Sequence, residues 1–425
     1  MAQRKRQPSK GADRASARPD LLDNLNLLLT TRCNLKCAYC YQGSRPGVGM
    51  SWLKLQSALD WALAHSGERL GIAFSGGEPL LERDLILRVV DHVERSGPPD
   101  LAVDYTLMTN GLLLDVDLFR SLTRRGAEIR LSFDGVEAAQ HLRGSGTFTL
   151  LDETVDRLRA ADERAFADQV MAVMTITPDN LPHFAAGVDY LLAKGIRCLN
   201  AAAVLTPCPG WDEPDLALMR EQFERVRLRC LAAREQGGAD LAVFLDRHDL
   251  PPRQRPDQGP ACAAAGVRKA AVDTDGRLYS CPIFAGSVNM GGPQASAWSA
   301  AVCWGKPGTP EFERCRTGHA MKMAALPLLC NQAERTGLFG RCRECDYQDG
   351  CYVCPGVFLA GQATTQAQRV PGFVCAFNAC AVAAGRCLPA LPLPREFLVR
   401  PDVIAHRRRS LRARIDGILG PPDGR

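Results

Sequence analysis

A regular alternation of two kinds of segment constrains this 425-residue chain more than any other feature. Between Leu25 and about Leu205, short apolar stretches alternate with amphipathic ones at a period of roughly 30 residues, as βα units do. Consecutive βα units build a parallel sheet, so the pattern predicts an α/β fold, a partial (β/α)6 TIM-like barrel. The predicted strands are 26–29, 70–74, 103–108, 129–133, 170–177 and 198–204, and the predicted helices are 52–64, 85–95, 116–125, 150–161 and 181–194.

Composition shifts along the chain predict its division into segments. Residues 23–207 form the predicted barrel, residues 208–260 a helical linker, and residues 261–388 a domain dense in Cys, Gly and Pro that ligands would hold together more than a core would. The ends, 1–22 and 389–425, are basic, and we interpret both as solvated, disordered tails. We therefore expect no nucleic-acid partner.

The number of cysteines indicates the use that the chain makes of them. There are 18, but the basic N-terminus has no apolar stretch of a secretion signal behind it, and no apolar run approaches the roughly 20 residues of a membrane span. Reducing compartments keep thiols reduced, so the cysteines predict iron or zinc ligation in preference to disulfides. We expect a cytoplasmic protein that does not contact a membrane.

Three cysteines in one short loop directly follow the first predicted strand. Cys33, Cys37 and Cys40 lie within eight residues, so they can reach three corners of one cubane cluster. A structural zinc or an electron-transfer cluster normally takes four protein ligands, so this loop implies a coordination position left open for a substrate or cofactor. Three buried cysteines, or part of a zinc site, are the alternatives.

Three further loops follow predicted strands, as the cysteine loop does. Loops at the carboxyl ends of parallel strands lie at one edge of the sheet and carry the chemistry in such folds, so we expect these loops beside the cysteine loop. They are the segment 75–79 (SGGEP), the turn 109–111 (TNG) and the segment 132–135 (SFDG), which is followed by HLRG at 141–144. Alone, SGGEP also fits a turn with a helix cap, and TNG is also an ordinary turn.

Together with the CxxxCxxC loop, these motifs resemble the radical S-adenosylmethionine (SAM) superfamily in order and spacing. The resemblance implies a [4Fe-4S] cluster whose open iron binds SAM and whose electron cleaves SAM to a 5′-deoxyadenosyl radical. It also assigns residues to the two cofactors. Cys33, Cys37 and Cys40 would hold the cluster, Tyr39 would lie against the adenine, Gly76, Gly77, Glu78 and Pro79 would receive the SAM amino group, Ser132 would meet the ribose, Arg143 would meet the SAM carboxylate, and Asn110 would line the cavity.

Seven later cysteines are similar to the SPASM extension of peptide-maturing radical SAM enzymes, which usually binds two auxiliary [4Fe-4S] clusters. By position, Cys262, Cys281 and Cys354 would hold the first, and Cys342, Cys345, Cys351 and Cys375 the second. The chain departs from the pattern in two ways. Its last central spacing is x2 where x3 is common, and no cysteine just before Cys262 completes the first cluster. The first cluster could therefore have an iron without a protein ligand, or it could take Cys303, Cys315 or Cys330 as its fourth ligand. In the second cluster, Cys380 could replace Cys375. Without the family context, the CxxC pairs would equally fit a zinc ribbon.

The resemblance implies an oxidoreductase that modifies a residue of a peptide or protein, such as a ribosomally made precursor, by crosslinking, epimerisation or oxidation. Sulfatase-type formylglycine formation is an alternative, although Pro282 stands where those relatives have an aspartate base, and a non-enzymatic iron-sulfur electron carrier is another. About 25 residues precede the first strand, too few for a leader-recognition domain. The expected partners are therefore a precursor peptide or protein, a separate leader-peptide recognition protein, and an electron donor of the flavodoxin or ferredoxin type.

Overall fold

A single sheet organises the computed structural model, which describes residues 21–42, 47–206, 213–235, 242–244, 264, 266–288, 292–319, 354 and 372–387. The described strands all belong to this sheet. They are β1 (Leu22–Thr30), β2 (Ser66–Gly76), β3 (Ala102–Thr109), β4 (Glu128–Leu131), β5 (Val170–Ile176), β6 (Cys198–Ala203), β7 (Ala242–Phe244), β8 (Lys269–Val272), β9 (Leu278–Tyr279) and β10 (Cys303–Gly305).

Helices connect the strands. The α-helices are α1 (Trp52–Ala64), α2 (Arg83–Ser96), α3 (Val116–Thr123), α4 (Glu137–Gln140), α5 (Thr147–Ala161), α6 (Glu163–Gln169), α7 (Phe184–Ala193), α8 (Glu213–Glu235), α9 (Gly292–Val302), α10 (Pro310–Thr317) and α11 (Gly372–Cys387), and short 3₁₀ helices cover Pro79–Glu82, His141–Arg143, Leu181–His183 and Pro282–Phe284. Within the described ranges, no helix is both long enough and apolar enough to cross a membrane.

The strand order explains why the helices share one side of the sheet. Strands β1 to β7 are neighbours in chain order, and each pair is parallel. Parallel crossovers are right-handed, so an unbroken order places every connecting helix on the same face. The described sheet is open, with β10 and β7 at its two edges. The predicted partial barrel is thus confirmed, with the six predicted strands at β1 to β6.

Side-chain alternation separates the two faces of this sheet. On β1, Leu25, Leu27 and Leu29 are buried in the apolar core that the helices complete, as are Ile129 and Leu131 on β4. Each such side chain contributes roughly 2 kcal/mol by leaving water. We call this helix-covered side the outer face, and the opposite side the inner face. Residues between the core residues on each strand belong to the inner face.

The cysteine-rich segment continues the sheet, which the sequence did not predict. Strand β8 pairs in parallel with β1, and β9 and β10 follow antiparallel. From the inner face of β1, Leu28 joins a second apolar cluster with Tyr279, Phe284 and Val302. This segment therefore covers the inner face beside β1.

Helix α11 packs on the barrel side, against α8 and β6. The rings of Phe377 on α11 and Phe223 on α8 meet edge to face with centroids 5.0 Å apart, and Phe223 meets Phe184 of α7 in the same way at 5.2 Å. The predicted boundary at residue 261 stays a prediction, although residues on both sides of it share one sheet and one core.

Candidate functional site

The predicted cysteine loop lies directly after β1, at the carboxyl edge of the sheet. Cys33, Cys37 and Cys40 are all partly buried and carry no disulfide. The backbone N–H of Leu35 donates to Cys33 Sγ at 3.4 Å, and the N–H of Cys40 donates to the Cys37 carbonyl at 3.1 Å. The three thiols therefore share one tight loop, as their spacing predicts.

The middle of this loop docks on the 3₁₀ helix that follows β4. The Ala38 N–H donates to the Leu142 carbonyl at 2.8 Å, and the Cys37 thiol lies 3.8 Å from the Arg143 carbonyl. Two segments separated by about 100 residues in sequence are thus joined by backbone contacts. The conformation of the cysteine loop depends on the segment 141–143.

A buried ion pair strengthens this attachment. Arg143 donates from Nε and Nη2 to the two carboxylate oxygens of Asp134, at 2.7 and 2.9 Å, and from Nη2 to the Val173 carbonyl at 3.1 Å. The Thr175 N–H and the Tyr39 hydroxyl donate to the same carboxylate at 3.0 and 3.2 Å. The side chains of Asp134 and Arg143 are 0% and 7% exposed. Because Tyr39 belongs to the cysteine loop, the ion pair fixes that loop to β4 and β5.

The pair also sets the protonation of its members. Burial raises the pKa of the Tyr39 hydroxyl, which therefore stays a donor. Burial alone would lower the pKa of the Arg143 guanidinium, but the adjoining Asp134 carboxylate raises it above its ordinary value. The Arg143 carbon Cζ lies 5.5 Å from the centre of the Tyr39 ring, so the cation also stabilises the ring from its face.

The predicted SAM residue Glu78 is buried, and its carboxylate joins two loops. Oε1 accepts from the Leu80 N–H at 3.0 Å and from the Thr109 hydroxyl at 2.6 Å, and Oε2 accepts from the Asn110 N–H at 2.8 Å. Burial raises the pKa of this carboxyl, and the three donors oppose the rise. Glu78 therefore holds the loop after β2 against the loop after β3, while Pro79 begins the 3₁₀ helix beside it.

Gly76 and Gly77 allow the backbone after β2 to touch the backbone after β1. Gly76 has φ +129°, and a Cβ there would lie 2.4 Å from the Thr30 carbonyl oxygen. At Gly77 a Cβ would lie 2.1 Å from the Arg32 carbonyl oxygen. The Gly77 N–H donates to the Thr30 carbonyl at 2.8 Å, which holds the two backbones together. A close backbone approach therefore requires glycine at both positions.

Two further contacts tie the cysteine loop to its neighbours. Asn110 donates from Nδ2 to Asn34 Oδ1 at 2.8 Å, so the predicted cavity residue touches the loop itself. Arg32 pairs with Glu82 at 2.5 Å, at the end of the 3₁₀ helix after β2. Ser132 lies at the same edge, where its N–H donates to the Thr109 carbonyl at 2.9 Å and its side chain is half-buried.

The structure thus brings together the motifs that the sequence placed at one edge, and it adds Asp134 and Thr109. Both lie inside motifs already singled out, SFDG and TNG, but their roles depend on contacts made across loops. The predicted partners of SAM, Arg143 and Glu78, both have their charged groups engaged by the protein. Their assignment to SAM stays a prediction.

Two of the predicted auxiliary ligands lie beside the cysteine loop. Burial raises the pKa of the Tyr41 hydroxyl, and the thiols of Cys40, Cys281 and Cys354 around it raise it further. Tyr41 and Cys281 both pack against the second apolar cluster. Cys281 and Cys354 therefore both lie near Tyr41, the residue that follows Cys40.

The structure separates the remaining candidate ligands. Cys375 is exposed on α11, whereas Cys380 is 8% exposed in the outer core, where burial raises the pKa of its thiol to about 11. Because Cys380 is enclosed in the core, Cys375 is the better-placed of the two as the predicted cluster ligand. Cys303 lies on β10 opposite Tyr279, which hydrogen-bonds to its thiol, and Cys315 lies on α10. Outside the described residues lie Cys262, Cys330, Cys342, Cys345 and Cys351.

The donor set fits a cubane cluster better than a single ion. Among the described residues, no three His, Cys, Asp or Glu side chains surround a point that one metal ion would fill. A cubane is bound by thiolates at separate corners, so its ligands stand further apart than those of one ion. Three thiols on one loop, with three and then two residues between them, are ligands of the type that such a cluster takes.

Comparisons with known proteins agree with this geometry. The family model of the radical SAM superfamily matches residues 27–197. The chain is 31% identical to GTP 3′,8-cyclase of Corynebacterium glutamicum, over 61% of this chain and 72% of that protein. It is 25% identical to PqqA peptide cyclase of Granulibacter bethesdensis, over 74% and 80%.

Other similarities cover less or show the fold alone. An uncharacterized protein of Methanocaldococcus jannaschii, MJ0907, is 28% identical over 43% of this chain, which spans 62% of that protein. The structure of native anSMEcpe with bound AdoMet and Kp18Cys peptide has a TM-score of 0.61 at 15% identity, covering 91% of this chain and 99% of that one. The fold, the ordered motifs at one sheet edge and the match over the barrel lead to one conclusion: the chain belongs to the radical SAM superfamily.

Proposed function

We propose that the protein is an enzyme that cleaves SAM reductively and modifies a residue of a peptide or protein substrate. The observation that carries this proposal is the loop of Cys33, Cys37 and Cys40, fixed at the carboxyl edge of the sheet by the Asp134–Arg143 pair. A [4Fe-4S] cluster held by these three thiols would supply the electron that breaks the sulfonium bond of SAM.

The residues around the loop have distinct tasks in this proposal. Tyr39 and Asn110 orient the loop through Asp134 and Asn34, while Gly76 and Gly77 let the backbone after β2 pack directly against the base of the cysteine loop. Ser132 offers a half-buried hydroxyl with no hydrogen-bond partner in the described part of the chain, ready for a ribose. The second apolar cluster covers the neighbouring inner face and excludes water there.

Similarity favours a peptide as substrate. PqqA peptide cyclase aligns over 74% of this chain, whereas the GTP 3′,8-cyclase alignment covers 61%. A fold similar to that of this chain also occurs in a structure of Streptococcus suis SuiB bound to precursor peptide SuiA, with a TM-score of 0.51. We propose a maturase of ribosomally made peptides that forms a crosslink, an epimer or an oxidised residue.

The auxiliary thiols fit such a role. Cys281 and Cys354, with Cys262, would bind the first auxiliary cluster beside Tyr41, and Cys342, Cys345, Cys351 and Cys375 would bind the second. Formylglycine formation is the less favoured alternative, because Pro282 begins a 3₁₀ helix where a base would be needed. We further propose a cytoplasmic location, a flavodoxin or ferredoxin donor and a separate leader-recognition protein.

The first experiment asks whether the reconstituted protein forms 5′-deoxyadenosine from SAM and dithionite. We expect cleavage by the wild type and by Cys345→Ala, loss of cleavage in Cys37→Ala, and loss of modified peptide in both variants. Cys230→Ala is the control, because this thiol is 2% exposed and belongs to the apolar core that the helices complete. No 5′-deoxyadenosine from fully loaded wild type would favour an electron carrier, and equal loss in both variants would mean that the extension and the barrel cannot be separated.

A further inference from the structure

The inner face of β3 to β6 carries four half-buried polar side chains among apolar ones, where a closed barrel would be filled by branched apolar residues. Thr106, Arg130, Thr175 and Asn200 lie between core residues of their strands and are all half-buried. The register confirms the shared face, because Arg130 pairs with Met171 on β5 and Asn200 with Val173. Polar groups on an open inner face indicate a surface that contacts a polar ligand.

Arg130 is the cation of this surface, and its guanidinium is only partly used. Nε pairs with Glu128 two residues earlier on the same strand, so the carboxylate fixes the direction of the side chain. The two terminal amino groups have no partner among the described residues, and the side chain is 32% exposed. Arg143 differs, because its guanidinium is occupied by Asp134 and a carbonyl. The free pair of amino groups on Arg130 has the spacing that a carboxylate accepts.

The position of Arg130 connects it with the chemistry. It precedes Ser132 by two residues, which is about 7 Å along a strand. A group bound to Arg130 therefore lies just inside the edge that carries the cysteine loop. Among the described residues, the second apolar cluster covers the inner face beside β1, whereas the side chain of Arg130 on β4 is 32% exposed.

We infer that Arg130 binds the carboxylate of an acidic side chain in the peptide substrate and so selects which residue reaches the reaction centre. Thr106 and Asn200 would offer hydrogen bonds to the same segment of the peptide, and Glu128 acts as a positioning residue for the guanidinium. The assignment rests on the proposed function, because it names the substrate feature that the same site recognises.

The test measures peptide retention by the reconstituted full-length protein with SAM bound. The probes are pools of short acetylated and amidated peptides, random except for one central residue that is Glu, Gln or Lys. We expect the wild type to retain the Glu pool about tenfold more than the Gln pool, the value of one charge-assisted bond pair. Arg130→Gln should bring this ratio to about one, Arg130→Lys should leave part of it, and Arg130→Glu should favour the Lys pool.

Arg69→Gln is the matched control, since Arg69 also pairs with a carboxylate, Asp104, but on the surface. Its ratio should equal that of the wild type. Equal retention of the Glu and Gln pools by the wild type, no retention of either, or an unchanged ratio in Arg130→Gln and Arg130→Lys would overturn the inference. The same preparations are assayed for 5′-deoxyadenosine. If 5′-deoxyadenosine forms but the wild type retains the Glu and Gln pools equally, only the role of Arg130 is rejected. If no 5′-deoxyadenosine forms, the proposed function is rejected.

Discussion

Replacing Asp134 by Asn tests whether the buried ion pair stabilises the fold and the cysteine loop. The substitution keeps the shape of the side chain but removes the charge opposite Arg143, and the new amide NH₂ group faces a donor on Arg143 or on Tyr39. Asp134 is fully buried, so the guanidinium is left without a compensating charge. Breaking a buried pair from one side costs about 3–5 kcal/mol. At an unfolding entropy of about 2 cal/mol/K per residue, the melting temperature should fall by about 3–6 °C.

The assay is thermal unfolding followed by circular dichroism, with Asp104→Asn as the control. Asp104 accepts two bonds from Arg69, at 2.9 and 2.7 Å, so the chemistry of the pair is the same. Its side chain is 49% exposed and that of Arg69 64%, and an exposed pair contributes under about 1 kcal/mol. Equal shifts for the two variants, or a shift below about 1 °C for Asp134→Asn, would refute the reasoning that burial makes the pair matter.

Two further predictions concern close packing and burial. Gly77→Ala should lower the free energy of unfolding by about 1–3 kcal/mol in urea titrations, because the added Cβ would overlap the Arg32 carbonyl. The control is Gly67→Ala, where the nearest atom to the added Cβ lies at 3.4 Å, and the free energy of unfolding should change by under about 0.5 kcal/mol. Similar losses in the two variants would mean that the loops after β1 and β2 can separate. Because the pKa of the Cys380 thiol is about 11, its alkylation in the native protein, followed by mass spectrometry, should speed up about tenfold per pH unit from pH 7 to pH 10, while N-acetylcysteine levels off near pH 9. A plateau for Cys380 near pH 9 would contradict the raised pKa of its thiol in the folded protein.

The barrel could be predicted from local patterns, because each of its strands is marked by a short apolar stretch of a few residues. The predicted strand 26–29 corresponds to Leu22–Thr30, and the predicted helix 52–64 has the observed bounds Trp52–Ala64. Apolar alternation and helical spacing are local signals, and the helix-covered core preserves them. The edge at which the motifs meet then follows from the parallel order of the strands.

The rest depends on partners distant in sequence. Strand β8 has only four residues, Lys269–Val272, and it is a strand because its backbone pairs with β1, about 245 residues earlier. No local pattern identifies such a partner. In the same way, Arg143 lies in a motif that resembles a SAM-binding segment, but only the folded loop shows that Asp134 meets its guanidinium.

The cysteine loop illustrates why motif spacing alone does not define a site. Its Arg32, Asn34 and Tyr39 are held by Glu82, Asn110 and Asp134, which belong to the segments after β2, β3 and β4. A loop held at three points loses little further conformational freedom when it binds a ligand, so the ordering cost is met on folding. The thiol geometry is consequently a property of three neighbouring loops, and a change in any of these holding residues should disturb the site without touching a cysteine.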